Sequence, residues 1–332
     1  MAYDGKVMRE ALQRFEEDKQ RRASQTEARR QRIYREIPRL EAIEKELRGT
    51  VARIMTEALR HGEDPAPALL RIRTENAMLQ QERAELLAEH GYAPDALEDK
   101  PRCALCGDTG YCGGKMCACL QKYYAQEQIR SLSSLLDVGS QSFDTFGLEW
   151  YDTKVGAQSR SPRETMERNL ATCQTFAAEF GKKPENLLLF GDPGLGKTFL
   201  SACIARVVSE KGYSVVYDTA SNVFARFEAR KFIRFGEDAR QAGADTRRYL
   251  TCDLLILDDL GSEFTSPFTQ AALYEVINTR LVENKHTVIS SNLSLDAIRQ
   301  RYSAQVASRL EGMYQTLVFF GQDIRMLKKQ QR

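Results

Sequence analysis

The chain has 332 residues, of which 42% are hydrophobic and 28% are charged, and its formal net charge is +2. These values are ordinary for a soluble protein and exclude a chain dominated by one sign of charge, although local basic patches remain able to bind nucleic acid. No stretch approaches the roughly 20 apolar residues that a membrane span needs. The first twenty residues are charged throughout and contain no apolar signal core, so we expect a cytoplasmic protein with reduced thiols and no membrane partner.

The first hundred residues are predicted to form a helical module. Pro38 suits the first turn of a helix, and the residues after it at steps of three and four form one apolar stripe. The stripe consists of Leu40, Ile43, Leu47, Val51, Ile54 and Ala58. A further helix is predicted from about Ala68 to Glu89 and is closed by Gly91. The module either buries its own stripe or docks on a partner protein, and we favour docking for residues 1–100.

A cysteine-rich module is predicted at residues 101–120. The segment CALCGDTGYCGGKMCAC contains a Cys-x-x-Cys pair followed closely by Cys-x-Cys, a spacing that can place four thiolates around a tetrahedral Zn²⁺. We assign Cys103, Cys106, Cys117 and Cys119 as the zinc ligands. Cys112 is the spare thiol and the main rival to Cys117 or Cys119, and a redox pair is the alternative to a metal site.

Residues 121–160 are predicted to form a connector to the last domain, which we place at 161–332. The connector carries Phe143, Phe146 and Trp150 within a loop-like sequence. We expect these aromatic rings to pack on the following domain rather than to bind a ligand.

The segment GDPGLGKT at 191–198 matches the phosphate-binding pattern G-x-x-x-x-G-K-[ST]. It lies between a predicted strand, 186–190, and a predicted helix, 199–210, so bound phosphates would meet a helix N-terminus. Lys197 would neutralise phosphate charge and the Thr198 hydroxyl would ligate Mg²⁺. The predicted nucleotide-binding set is Gly191, Asp192, Pro193, Gly194, Leu195, Gly196, Lys197, Thr198 and Phe199.

Two further predicted strands end in polar residues that suit nucleotide hydrolysis. The run DLLILDDL at 253–260 ends in Asp258, which we assign to the magnesium ion, and Asp259, which can orient or activate the attacking water. The strand TVISSNL at 287–293 ends in Asn292, which either reaches the γ-phosphate and its water or serves as a turn or N-cap residue.

The segment 221–250 is rich in arginine and phenylalanine. Basic residues that alternate with aromatic ones suit single-stranded nucleic acid, because the charges pair with phosphates and the rings stack on bases. The residues we assign to DNA binding are Arg230, Lys231, Phe232, Arg234 and Phe235. The alternative is an amphipathic helix with buried phenylalanines, among them Phe227, and solvated arginines.

The motifs GDPGLGKT, LLILDDLG, VISSNL and ASRL together resemble the DnaC/DnaI-type bacterial helicase loaders of the AAA+ class. The cysteine module followed by SFDTFGL is most similar to the zinc-containing branch found in Gram-positive bacteria and some of their phages. The resemblance covers residues 100–328. It implies an α/β AAA+ fold with a phosphate loop and a parallel sheet but no full lid domain, since the chain soon ends after its last predicted strand, at 316–320.

This resemblance also implies roles for single residues. Arg309 matches an arginine finger that reaches a neighbour's nucleotide, Asn292 a first sensor and, more loosely, Arg325 a second sensor. Asp259 stands where many AAA+ proteins have glutamate, which implies modest ATP hydrolysis. The implied function is to place the hexameric replicative DNA helicase on single-stranded DNA during replication initiation, with ATP, Mg²⁺ and Zn²⁺ bound and with self-association through the ATPase domain. The alternatives are the related ATPase helper subunit of insertion-sequence transposition and a small-molecule kinase, which would need an acceptor pocket and a lid.

Overall fold

The computed structural model describes residues 3–58, 66–133, 141–155, 159–232 and 237–330. Its helices are α1 (Gly5–Glu36), α2 (Pro38–Ala58), α3 (Ala66–Glu89), α4 (Ala118–Ser133), α5 (Pro162–Ala178), α6 (Lys197–Glu210), α7 (Ala220–Phe232), α8 (Glu237–Thr251), α9 (Pro267–Val282), α10 (Leu295–Arg301), α11 (Ala304–Met313) and α12 (Ile324–Gln330). Its strands are β1 (Tyr111–Cys112), β2 (Lys115–Met116), β3 (Leu187–Gly191), β4 (Val215–Thr219), β5 (Leu254–Leu260), β6 (His286–Ser291) and β7 (Gln315–Phe319). Short 3₁₀ helices lie at Phe143–Thr145 and Leu148–Trp150.

The chain divides into two compact units. One consists of Met1–Gln13 together with Met116–Arg332, and the other of Arg14–Lys115. The boundaries that we assigned at residues 100, 120 and 160 remain a division based on sequence. None of the described helices combines the length and the apolar character needed to cross a bilayer.

The unit Arg14–Lys115 is built on α2 and α3, which pair along their length. Its apolar core is confined to one end, where the buried residues are Ile33, Tyr34, Ile37, Leu40, Leu87 and Leu97. Farther along, polar pairs join the two helices: Thr50 donates to Asn76 Oδ1 at 2.9 Å, and Arg53 lies 2.6 Å from Glu75. Polar contacts therefore join the distal half of the helix pair, where Ile72 of α3 is also buried.

The apolar stripe predicted on α2 is buried only in part. Leu40 and Ile43 are fully buried, whereas Val51 is 66% exposed and Ile54 is 39% exposed. At this level the partner helix contacts α2 through Asn76 and Glu75, while its Ile72 is buried. The side chain of Ala58 lies outside the described residues.

The unit with residues Met116–Arg332 contains a five-stranded sheet in the order β4-β5-β6-β3-β7. Every neighbouring pair of strands is parallel. Strands β3 to β6 are buried on both faces, whereas the edge strand β7 buries only Leu317 and Phe319. Alternate residues of β3 enter two separate cores: Leu187 and Leu189 belong to one, and Leu188 belongs to the other. This double burial explains why the strands read as continuous apolar runs. The predicted α/β class with a parallel sheet is confirmed.

Candidate nucleotide site

The candidate site lies at the carboxyl ends of the parallel strands. Strand β3 has β6 on one side and the edge strand β7 on the other, so the chain connections diverge there. Open α/β sheets bind ligands in the crevice at such a switch point. The loop after β3 is the predicted phosphate loop, and the carboxyl ends of β5 and β6 bring Asp258 and Asn292 to the same edge.

At two positions of the phosphate loop, glycine cannot be replaced by another amino acid without strain. Gly191 has φ 142°, and a Cβ there would lie 1.8 Å from the carbonyl oxygen of Phe319 on the neighbouring strand β7. Gly196, the N-cap of α6, has φ 88°, and its Cβ would lie 2.9 Å from the Tyr151 hydroxyl. At either position a side chain would be strained by the positive φ, and its Cβ would also lie too close to a neighbouring atom. The loop therefore needs glycine at both positions.

The Lys197 ammonium is held inside the loop. It donates to Gly191 O at 2.5 Å, to Asp192 O at 2.8 Å and to Asn292 Oδ1 at 2.9 Å. Burial lowers the pKa of Lys197 and Arg325 adds to this effect, while Asp258, Asp259 and Asp192 oppose it. An ammonium group in this setting is a partly desolvated cation, and such a group binds phosphate more strongly than one in water.

Asp258 is fixed by three hydroxyl groups. Tyr217 on β4 donates to its Oδ2 at 2.7 Å and Thr198 at 3.2 Å, while Ser290 on β6 donates to Oδ1. The side chain is 6% exposed. The structure thus brings the two predicted magnesium ligands, Thr198 and Asp258, into direct contact. Tyr217 and Ser290 were missed by the sequence reasoning, although each lies near the carboxyl end of a strand that pairs with β5.

Asp259 has an unusual backbone. Its φ is 57°, and the register between β5 and β6 shifts between Leu257 and Leu260. The Asn292 amide donates to Asp259 Oδ1 at 3.0 Å while its oxygen accepts from Lys197. The N-cap of the following helix α10 is Ser294. Asn292 is therefore not a capping residue of α10, and it bridges Lys197 and Asp259.

The connector forms one wall of the cavity above the phosphate loop. This cavity has a volume of about 820 Å³, and Pro193 to Phe199, Thr219, Asp258, Asp259, Ser290, Asn292, Ile324, Arg325 and Lys328 line it together with connector residues. The Phe146 ring lies 5.4 Å from that of Phe199, and the Tyr151 hydroxyl donates to Leu195 O at 2.9 Å. The expectation that Phe146 and Trp150 only pack on the next domain is incomplete, because both also face this cavity.

The two arginines predicted to act on the nucleotide lie in different places. Arg325, on α12, lines the cavity, whereas Arg309, on α11, is not among its lining residues. Arg309 donates to Tyr274 Oη at 2.8 Å and to Asn278 Oδ1 at 3.1 Å, both on α9. Its guanidinium also lies 4.5 Å from the centre of the Tyr274 ring. These contacts hold the Arg309 side chain against α9, outside the set of residues that line the cavity of its own chain.

The predicted DNA-binding segment forms α7 and α8. Arg230 and Lys231 are exposed near the end of α7, where Lys231 lies 4.2 Å above the ring of Phe268. Phe227 is 5% exposed and belongs to the core, as the amphipathic alternative expects for that ring. Arg234 and Phe235 lie outside the described residues, as does the side chain of Phe232.

The four cysteines assigned to zinc lie together. The Sγ atoms of Cys103, Cys106, Cys117 and Cys119 are all within 4.8 Å of one another. Zinc–sulfur bonds of about 2.3 Å place tetrahedral ligands roughly 3.8 Å apart, so the cluster has the size and the donor type of a zinc site. Cys112 is outside this group, and its Sγ lies 3.4 Å from Leu105 O.

Comparison with known proteins identifies a family of ATP-binding proteins. Residues 124–310, more than half of the chain, match the family described as IstB-like ATP binding protein. A putative insertion sequence ATP-binding protein of Sinorhizobium fredii is 32% identical over 111 residues, which are 33% of this chain and 35% of the relative. The replicative helicase loader DnaI of Bacillus subtilis is 30% identical over 127 residues, which are 36% and 37% of the two chains. This chain thus spans little more than a third of either relative.

Among solved structures, the crystal structure of the DnaC helicase loader is similar with 22% identity and a TM-score of 0.44, covering 55% of this chain and 99% of that one. The family match rests on the sequence itself and includes the phosphate loop, both aspartates and Asn292. The chain therefore belongs to the IstB-like family of ATP-binding proteins, with the α/β phosphate-loop fold of the AAA+ class.

Proposed function

We propose that this protein is an ATP-dependent loader that binds the hexameric replicative DNA helicase and helps to place it on single-stranded DNA in the cytoplasm. The main observation in support of the proposal is that one chain contains both a phosphate-loop site and, earlier in the sequence, a cluster of four cysteines. A helical unit is also present, and its distal half exposes apolar side chains. Such exposed side chains suit contact with a protein partner.

The residues around the cavity fit MgATP. Lys197 and the loop N–H groups would hold the phosphates, while Thr198 and Asp258 would hold Mg²⁺, which shields the phosphate charge when bound. On the connector side, Gln141 Oε1 is buried, lacks a hydrogen-bond partner and belongs to a residue that lines the cavity. This acceptor could receive a hydrogen bond from the exocyclic amine of adenine, and the rings of Phe146 and Trp150 offer apolar surface for a base.

Hydrolysis would depend on Asp259 and Asn292. Asp259 is the less buried member of the acidic pair and would orient the attacking water, while Asn292 links it to Lys197. Because Arg309 does not line the cavity of its own chain, we propose that it completes the site of a second copy and stabilises charge on the γ-phosphate there. Arg325 would act on the nucleotide of its own chain.

The four-cysteine cluster would hold one Zn²⁺ with a structural role, since a set of four thiolates leaves no open position for catalysis. The basic end of α7 would contact single-stranded DNA, since Arg230 and Lys231 are exposed there. Self-association through the ATPase domain would place several such helices side by side.

Replacing both Arg230 and Lys231 by alanine is expected to weaken binding to single-stranded DNA. Each lost phosphate contact lowers the slope of log affinity against log salt by about 0.7, so the pair should lower it by about 1.4. The measurement is a fluorescence-anisotropy titration at several salt concentrations. The matched control replaces the exposed pair Lys182 and Lys183 on the same unit. An unchanged affinity and salt slope in the α7 variant would remove this helix from the DNA-binding proposal.

The partner is tested by mixing purified protein with the replicative helicase of the source cell and with an insertion-sequence transposase. Size-exclusion chromatography with light scattering then reports which complex forms in the presence of ATP. We expect a stable complex with the helicase. Substituting Val51 and Met55, which are 66% and 59% exposed, by serine should weaken that complex without affecting ATP binding. A complex with the transposase alone would refute the proposal.

A second candidate function is that of an ATPase helper in insertion-sequence transposition. The observation in its favour is the 32% identity to the insertion sequence ATP-binding protein of Sinorhizobium fredii. The cysteine cluster favours the loader, because it lies outside residues 124–310, which match the IstB-like family, and the cysteine module resembles that of the zinc-containing loader branch. The same mixing experiment separates the two candidates.

A further inference from the structure

The loop that follows Asp259 is tied to the helices that hold Arg309. Its first link is local: the Ser262 hydroxyl donates to Asp259 O at 2.9 Å, and Ser291 on β6 donates to Leu260 O at 2.6 Å. Gly261 then passes so close to Leu293 that a Cβ would lie 2.6 Å from its side chain. The loop is thus bonded to Asp259 and to β6 and packs closely against Leu293, which follows Asn292.

Glu263 is the central residue of this loop. It is a carboxylate with only 7% of its surface exposed. One carboxylate oxygen accepts from the Gly261 N–H at 3.0 Å, and the other accepts from the Tyr302 hydroxyl. Its backbone oxygen accepts from the Arg301 guanidinium. A buried charged hydroxyl–carboxylate bond is short and strong, so the pair joins the loop to the end of α10 as one piece.

Both helices that hold Arg309 start next to these contacts. Tyr302 is followed at once by Ser303, the N-cap of α11, which carries Arg309. Ser266, the N-cap of α9, lies three residues after Glu263, and α9 supplies Tyr274 and Asn278 as the partners of Arg309. Tyr302 is itself 2% exposed, so its ring is packed in the core. Because a close-packed core transmits displacement, a movement of the loop would be passed on to the start of α11.

We propose that Glu263 and Tyr302 are positioning residues that couple Asp259 of one chain to the Arg309 that the same chain offers to its neighbour. In this arrangement the state of a chain's own nucleotide sets the position of the arginine that acts on the next nucleotide. The inference rests on the proposed function, in which Arg309 acts on a second copy. A regulated sequence of hydrolysis around an assembly of copies is the consequence.

The test combines Tyr302→Phe, which removes only the hydroxyl, with Arg309→Ala. ATP affinity and steady-state hydrolysis are measured at a protein concentration where the chains co-assemble. Tyr302→Phe should lower hydrolysis about two- to thirtyfold in the otherwise unchanged protein and leave ATP affinity unaltered. In the Arg309→Ala protein it should have no further effect, because the residue it positions is gone. Glu263→Gln serves as the second variant and should behave in the same way.

The control is Tyr314→Phe, which removes a hydroxyl from another buried tyrosine of the same core. It should leave hydrolysis unchanged in both backgrounds, and melting curves show whether each variant is folded. Equal losses from Tyr302→Phe in both backgrounds, or a loss of ATP affinity that accounts for the lower hydrolysis, would overturn the coupling alone. Full hydrolysis by Arg309→Ala would overturn the role of Arg309 in a second copy, and the coupling with it.

Discussion

Replacing Lys197 by alanine is expected to weaken ATP binding by about 10- to 100-fold, the size of a lost hydrogen bond to a charged group. The lysine is the one cation anchored within the described phosphate loop, with its ammonium bonded to Gly191 O and Asp192 O. The measurement is a titration with a fluorescent ATP analogue in the presence of Mg²⁺. Lys182→Ala is the matched control, because that side chain is 68% exposed and forms an ion pair with the neighbouring Glu179.

The same substitution should leave the helical unit Arg14–Lys115 folded, because that unit has its own apolar core. Hydrogen exchange of α2 and α3 should therefore match that of the unsubstituted protein. A second variant, Lys197→Met, keeps the packing of the aliphatic stem and isolates the loss of the charge. Unchanged nucleotide affinity in both Lys197 variants would mean that the loop 191–198 is not the phosphate site.

Removing one thiolate from the four-cysteine cluster is expected to have the other large effect. The purified protein should contain about one equivalent of zinc per chain, as a closed site of four ligands implies. Cys106→Ser should lower zinc affinity by more than about 100-fold, since even the loss of an outer-shell partner costs about 10- to 100-fold. Metal analysis after dialysis against a weak chelator measures the difference.

Cys112→Ser is the matched control for this experiment. Cys112 belongs to the same cysteine-rich segment, but its Sγ lies outside the group of four. Zinc content should therefore be unchanged in Cys112→Ser. Retention of zinc by Cys106→Ser together with its loss from Cys112→Ser would contradict the ligand assignment, and metal-free protein with an ordered 101–120 segment would contradict the zinc site altogether.

The sheet and the phosphate loop were predictable from sequence because their signals are local. The apolar run at 186–190 became β3 at Leu187–Gly191, and the helix expected from 199 begins at Lys197. Strands covered on both faces need apolar residues at every position, so their limits are visible in the sequence. The glycines, Lys197 and Thr198 follow each other directly, and their spacing alone determines their arrangement.

The walls of the site were less predictable because they come from distant parts of the chain. Nothing near Tyr217 in sequence indicates that its hydroxyl meets Asp258, a contact across two neighbouring strands. The contact of Tyr151 with Leu195 likewise joins the connector to the phosphate loop over 44 residues. For Ser290, its place near the end of β6, a strand adjacent to β5, was the available signal. The left-handed backbone of Asp259 had no signal at all.

The burial of α2 shows a different limit. The spacing of Leu40, Ile43, Val51 and Ile54 correctly indicated a helix with one apolar face. It contained no information about what lies opposite that face, and the distal half meets the polar Asn76 and Glu75 of α3. A periodic pattern predicts an element and its faces, whereas the burial of a face depends on the partner.

The account is tested most directly by transfer of the hexameric replicative helicase of the source cell onto closed circular single-stranded DNA. The readout is displacement by the helicase of an oligonucleotide annealed to the circle, which has no end for the helicase to enter. The account predicts that this protein with ATP increases displacement, and that Lys197→Ala does not. Absence of any increase at every ratio of protein to helicase, with ATP binding by this protein verified in the same preparation, would contradict it.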